Sequence, residues 1–190
     1  MNRTVLSLGF AFLVAAQVVE APARADAAPA VAAPPQAQAQ AAPPQTAACS
    51  APEYHQLDFW SGDWDAFESG NAAPVARVRV SSILDACVVH EDYQAANGRR
   101  GQSFSIYDAS RKLWHQTWVT NHGQLLMIEG RFDSGEMVLS GADPAKGPQA
   151  RVRGVWKPAE GGVREVGTTS SDGGKTWQPW FDLIFRPHTP

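Results

Sequence analysis

The chain has 190 residues, 44% of them hydrophobic and 18% charged, with a formal net charge of -3. That is enough chain for one domain and short for two, and so balanced a charge leaves no basic footprint for nucleic acid. Two cysteines exclude a disulfide-dense scaffold and a four-cysteine zinc site.

The chain opens on an address. Arg3 gives a positive start, Val5 to Val19 is apolar except for Ser7, Gly9 and Gln17, and Ala23 and Ala25 put small residues where a signal peptidase reads. Residues 1–25 are predicted to be a secretory signal peptide cut after Ala25. An uncleaved anchor is the competing reading, but the run falls short of the about 20 apolar residues that a spanning helix needs. No later segment meets that length, so the mature protein is expected without a transmembrane segment, in the periplasm or outside the cell.

Residues 26–52 read as a disordered linker. Residues 26–48 hold 11 Ala, 5 Pro and 4 Gln, with nothing large enough to bury and proline to block a helix. Thr46-Ala47-Ala48-Cys49 faintly matches a lipoprotein cleavage site but stands too far beyond the apolar run for one signal to serve it. Cys49 has a better use. Cys87 is the sole other cysteine and export leads to an oxidising compartment, so a Cys49–Cys87 disulfide is expected in place of two free thiols.

Next, Glu53–Trp60 shows a trace of helical periodicity. From Gly62 onward, short alternating runs are separated by Gly, Asp, Asn and Pro. Ten strands are predicted: 63–68, 76–84, 88–95, 102–107, 113–120, 124–132, 136–141, 151–157, 162–170 and 177–186. Their connections are mostly short enough for hairpins. The predicted fold is all-β: one antiparallel up-and-down barrel over residues 53–187, closed so that no edge is exposed.

Alternation assigns the faces. Val152, Gly154 and Trp156 oppose Arg151, Arg153 and Lys157 and point inward. Phe181, Leu183 and Phe185 share a face, as do Leu126, Ile128 and Phe132, and Val78, Val80 and Leu84. Two segments mix polar and apolar groups on both faces: Glu91 with Tyr93 against His90 with Asp92, and Gln116 with Trp118 against His115 with Thr117. A buried Glu91 or Gln116 needs a bonding partner or a wet cavity. Ten strands enclose more space than their side chains fill, so a cavity is expected.

Asp58-Phe59-Trp60-Ser61-Gly62-Asp63-Trp64-Asp65 opens the first strand. Together with Ile83-Leu84-Asp85-Ala86-Cys87, Trp114-His115-Gln116-Thr117-Trp118-Val119 and Ser171-Asp172-Gly173-Gly174-Lys175-Thr176-Trp177, it resembles a family of bacterial secreted proteins of unknown function with a lipocalin-like (calycin) barrel. The resemblance spans about residues 50–186. It implies an internal pocket but no reaction. It also implies that Trp64 closes one end of the barrel with Arg186 packed over it, a pairing that cation–π attraction favours on its own chemistry.

Ser170-Ser171-Asp172-Gly173-Gly174-Lys175-Thr176-Trp177 also fits the S-x-D-x-G-x-T-W box of sialidase-like propellers. One copy cannot build a propeller, so Asp172 is read as bonding a hairpin turn and Trp177 as anchoring the strand after it. The five histidines show no metal-binding spacing, and no metal ligand or cofactor is assigned. Nitrobindin-type barrels of the same broad superfamily bind haem through a histidine, but no histidine here can be matched to that ligand.

The functional reading is a barrel that holds a small, largely apolar molecule. Glu91, Tyr93, Gln116 and Trp118 are the candidate orienting groups, with Phe104, Ile128 and Trp156 as wall. Three rivals stand beside it: an isomerase or hydrolase acting on an apolar substrate, for which Glu91 and His115 would have to share the cavity; a haem barrel, which needs an inward histidine; and a filled barrel serving as an interaction module, with an exposed apolar patch in place of a cavity.

Overall fold

The computed structural model describes residues 48–189. The expected signal peptide and most of the expected linker lie outside the described residues. The linker's expected end does not: Cys49 is already bonded to Cys87, and a 3-10 helix begins at Pro52.

Ten strands follow: β1 (Gly62–Glu68), β2 (Ala76–Ile83), β3 (Val88–Ala95), β4 (Arg100–Asp108), β5 (Leu113–Thr120), β6 (Leu125–Asp133), β7 (Glu136–Ala142), β8 (Arg151–Ala159), β9 (Gly162–Ser170) and β10 (Gln178–Pro187). Each expected strand is present, with bounds shifted by two residues at most. Each pairs antiparallel with its chain neighbours, and β1 pairs with β10 to close the barrel. Closure leaves no strand edge to template aggregation.

The expected helical turn at Glu53–Trp60 is instead two 3-10 helices, Pro52–His55 and Asp58–Trp60. A 3-10 turn puts residues three apart on one side. Leu57 and Trp60 thus point together into the barrel end, where each is 1% exposed. Trp60 packs at 5.8 Å from Trp156 and 6.1 Å from Phe185 between ring centroids. Alongside, Gln56 Oε1 accepts the Trp114 indole N–H at 3.0 Å, and Tyr54 meets Tyr107 edge-on. The segment before β1 is thus a plug that fills the end of the barrel at which β1, β3 and β5 begin.

Two expectations about packing are corrected here. Leu84 does not share the inner face with Val78 and Val80: β2 ends at Ile83, and Leu84 is 70% exposed with φ 50°. Leu84, Asp85 and Ala86 all take left-handed φ values in the turn that delivers Cys87 to Cys49. Nor does Arg186 cover Trp64. Arg186 pairs with Asp65 on the outer face and lies 4.9 Å from the Phe67 ring, whereas Trp64 points inward and donates its indole N–H to the Trp60 carbonyl at 2.9 Å. Opposite faces of the sheet separate the two side chains.

The Asp172 turn is built as a turn. Asp172 Oδ1 accepts from the Lys175 and Thr176 backbone N–H groups at 2.9 and 3.0 Å. Gly173 and Gly174 take φ 80° and 93°, and Trp177 donates its indole N–H to the Gly174 carbonyl. The Thr176 hydroxyl, donating to Asp172 Oδ2 at 2.6 Å, holds the Asp172 carboxyl well below the usual carboxylate range, helped by the Thr176 N–H and the Ser170 hydroxyl. Arg153 lies 4.0 Å over the Trp177 ring and fastens the turn to β8.

Candidate functional site

With the plug filling one end, the other end of the barrel keeps a cavity of about 440 Å³. Glu91, Tyr93, Gln116, Trp118, Ile128 and Trp156 all line it, so six of the seven expected site residues share one space. Val75, Asn97, Arg99 and Trp180 also border it, and they belong to the loops and strand ends at that mouth.

Phe104 is the exception, and the expectation that it forms wall is corrected. It is 42% exposed on the outer face of β4, stacked on His90 at 4.8 Å. The inner face of β4 is Gly101, Ser103 and Ser105, all buried. With Ile106, Val119, Leu125 and Met127, Phe104 belongs to the exposed apolar side chains of the outer β4–β6 surface.

Those small inner residues explain both the open space and the polar order within it. The Ser103 hydroxyl donates to Glu91 Oε2 at 2.8 Å across the register pair Glu91↔Ser103. One step along, Gln116 Nε2 donates to Ser105 Oγ at 2.9 Å across Ser105↔Gln116. The buried polar groups on β3 and β5 thus have partners, as burial demands. Gly101 has a further part: a Cβ there would stand 2.3 Å from the Trp118 ring. Its absence lets the indole lie against the wall, edge-on to Tyr93 with centroids 5.8 Å apart.

A second carboxyl faces this space. Glu165 on β9 lines the cavity and pairs in register with Trp156 on β8. What accessible surface it keeps belongs to the cavity wall. Burial pushes the Glu91 carboxyl up to about 7 against the relief of the Ser103 hydroxyl, with Asp92 adding to the rise. Burial also raises Glu165 well above the usual range, and the charge of Glu91 raises it further. Among the described residues, neither forms a salt bridge. The Trp156 indole N–H favours the charged form of Glu165, yet it is buried and closes no hydrogen bond of standard geometry. Desolvation, Glu91 and Glu165 likewise raise the Tyr93 phenol above its ordinary range.

Sequence reading missed Glu165, although the signal was present. Val163 and Gly167 are its inward neighbours at spacing two, but Val166 on the other face blurs the alternation. The pairing of Glu91 with His115 is also corrected. His115 points outward, with Nδ1 on Glu129 and Nε2 on Thr117, each at 2.9 Å. His55, His90, His122 and His188 do not line the cavity either, so the inward histidine that a haem barrel requires is not among its lining residues.

Among the described residues, no helix is long and apolar enough to cross a membrane. A comparison with protein-family models gives no match for the chain, and a comparison with curated proteins gives none.

Proposed function

We propose that this protein is an exported barrel that binds a small, largely apolar molecule in its interior. The observation that carries the reading is the cavity itself: aromatic and aliphatic walls, a few bonded polar groups, and a volume in the range of small-molecule sites. Affinity comes from taking ligand surface out of water, at about 25 cal/mol per Å² of apolar area. The sequence resemblance to lipocalin-like secreted barrels supports the same reading. The Cys49–Cys87 disulfide supports an oxidising compartment and thus export.

Native mass spectrometry of the purified chain tests this. The expected spectrum shows the chain carrying one small molecule that is lost under harder activation. A bare chain that also takes up no added fatty-acid analogue would sink the reading.

An enzyme in the same barrel has an observation of its own. Two carboxyls with raised pKa in one cavity are what acid–base chemistry on an apolar substrate needs. Returning the extracted molecule to fresh protein decides between the two: a carrier gives it back unchanged, and an isomerase or hydrolase alters its retention or mass.

A further inference from the structure

The two carboxyls and the unpartnered indole N–H bear on what the bound molecule is. Glu91 and Glu165 come from opposite walls, both have surface on the cavity, and neither has a cationic partner among the described residues. The cationic side chains bordering the same space are turned to other work. Arg99 donates to Gln124 at the mouth and its charge reaches Tyr93, and Arg153 lies over Trp177; neither forms a salt bridge with Glu91 or Glu165. Of the remaining titratable groups, Glu68 and Tyr93 border the same space and Asp92 lies next to Glu91 on the outer face, none of them a cation.

Burying two like charges without a counter-charge is unfavourable, and proteins avoid it by keeping such groups protonated or by pairing them. A ligand cation would pair both at once. The surrounding rings of Tyr93, Trp118 and Trp156 suit the same charge, because the face of an aromatic ring attracts a desolvated cation. The Trp156 N–H fits as well, because it favours the charged form of Glu165. It is a donor only, in a side chain 3% exposed, and it sits beside Glu165 in register. An ionised Glu165 has acceptor capacity for a ligand N–H and for the indole together.

We propose that the molecule held in the barrel carries a protonated amine, seated between the Glu91 and Glu165 carboxyls with the rings of Tyr93, Trp118 and Trp156 around it. This rests on the reading of the barrel as a small-molecule binder. The apolar body of the ligand then points along the lumen against Leu126, Ile128 and Leu183.

Three probes with one apolar body and different heads test it: n-octylamine, n-octanol and octanoate, titrated calorimetrically into the full chain at pH 6 and pH 8. The amine is expected to bind at least tenfold tighter than the alcohol at pH 8, and octanoate weakest. Between pH 6 and pH 8 the amine's affinity is expected to rise several-fold, because the carboxyls ionise while the amine, with an ordinary pKa of about 10, stays charged. Glu91→Gln and Glu165→Gln are each expected to remove most of the amine's advantage over octanol, and far-UV circular dichroism and a urea melt check that each variant keeps the barrel. Equal or tighter binding of octanol or octanoate would overturn the amine while leaving the apolar binder standing. Failure of all three to bind would overturn both.

Discussion

Glu91 on β3 and Glu165 on β9 share one cavity from opposite walls, with β2, β1 and β10 between their strands on one side and β4 to β8 on the other. Each is pushed toward its neutral form first by burial, and the charge of Glu91 adds to the rise at Glu165. The barrel therefore carries unfavourable electrostatics among the aromatic rings of Tyr93, Trp118 and Trp156. Burying two carboxyls together has a cost, and the cost depends on pH.

The first expectation concerns that dependence. The Glu91 carboxyl titrates at about 7 in the folded chain against 4.5 for an ordinary glutamate, so between these values the folded state holds more protons than the unfolded one. The stability that this supplies is full below about 4.5 and is lost as pH rises through 7. Urea denaturation at pH 4.5 and pH 8 should show the native sequence losing on the order of 3 kcal/mol relative to Glu91→Gln. Glu165 acts in the same direction. Parallel curves for the two proteins would contradict the assignment.

A second expectation concerns the disulfide. Cys49 and Cys87 are 38 residues apart, and closing a loop of that size is worth about 4 kcal/mol by chain entropy. Reduction, or Cys87→Ser, should lower the stability of the barrel by about 3 to 4 kcal/mol and loosen the left-handed turn at Leu84–Ala86. Hydrogen exchange should then rise first at Cys87 N–H, which bonds the Leu84 carbonyl. Unchanged stability on reduction would contradict this.

Inner and outer aromatics should separate cleanly. Trp118 lies on the cavity wall and Phe104 on the outer surface. Trp118→Ala should weaken binding of an apolar probe about tenfold, the loss of roughly 1.4 kcal/mol of contact. Phe104→Ala should leave affinity within twofold and stability within about 0.5 kcal/mol. Fluorescence titration of both variants checks it, and a larger effect at Phe104 would move the site to the outer β4–β6 surface.

These contrasts also show where the sequence was legible. Alternation placed Val152, Gly154 and Trp156 inside because charges mark the opposite face of β8. It misplaced Phe104 because the inner face of β4 is Gly101, Ser103 and Ser105. Hydrophobicity alone reads such a strand inside out, since what the lumen needs there is room and hydroxyl partners rather than apolar volume. Arg186 was misassigned by resemblance although its own strand argued otherwise: Phe185 is fully buried, so Arg186 must face out. Alternation could have put Glu165 inside, but that it shares a space with Glu91 needed the fold, because only the closed sheet brings β9 within reach of the charge on β3. The segment ahead of β1 was legible only as a trace of helical periodicity over Glu53–Trp60; its 3-10 geometry and its place in the barrel end are set by where Leu57 and Trp60 find space.

The most direct test of a ligand inside the barrel is the indole N–H spectrum of the ¹⁵N-labelled chain during titration with n-octylamine. Trp156 and Trp118 line the cavity, and the Trp156 indole sits beside Glu165. Their resonances should shift in a saturable, one-to-one manner, while Trp60, sealed in the plug, and Trp177, bonded to the Gly174 carbonyl, move little. Shifts confined to backbone amides around Phe104 and Met127, with Trp118 and Trp156 unmoved at saturation, would place binding outside the barrel and contradict an internal site.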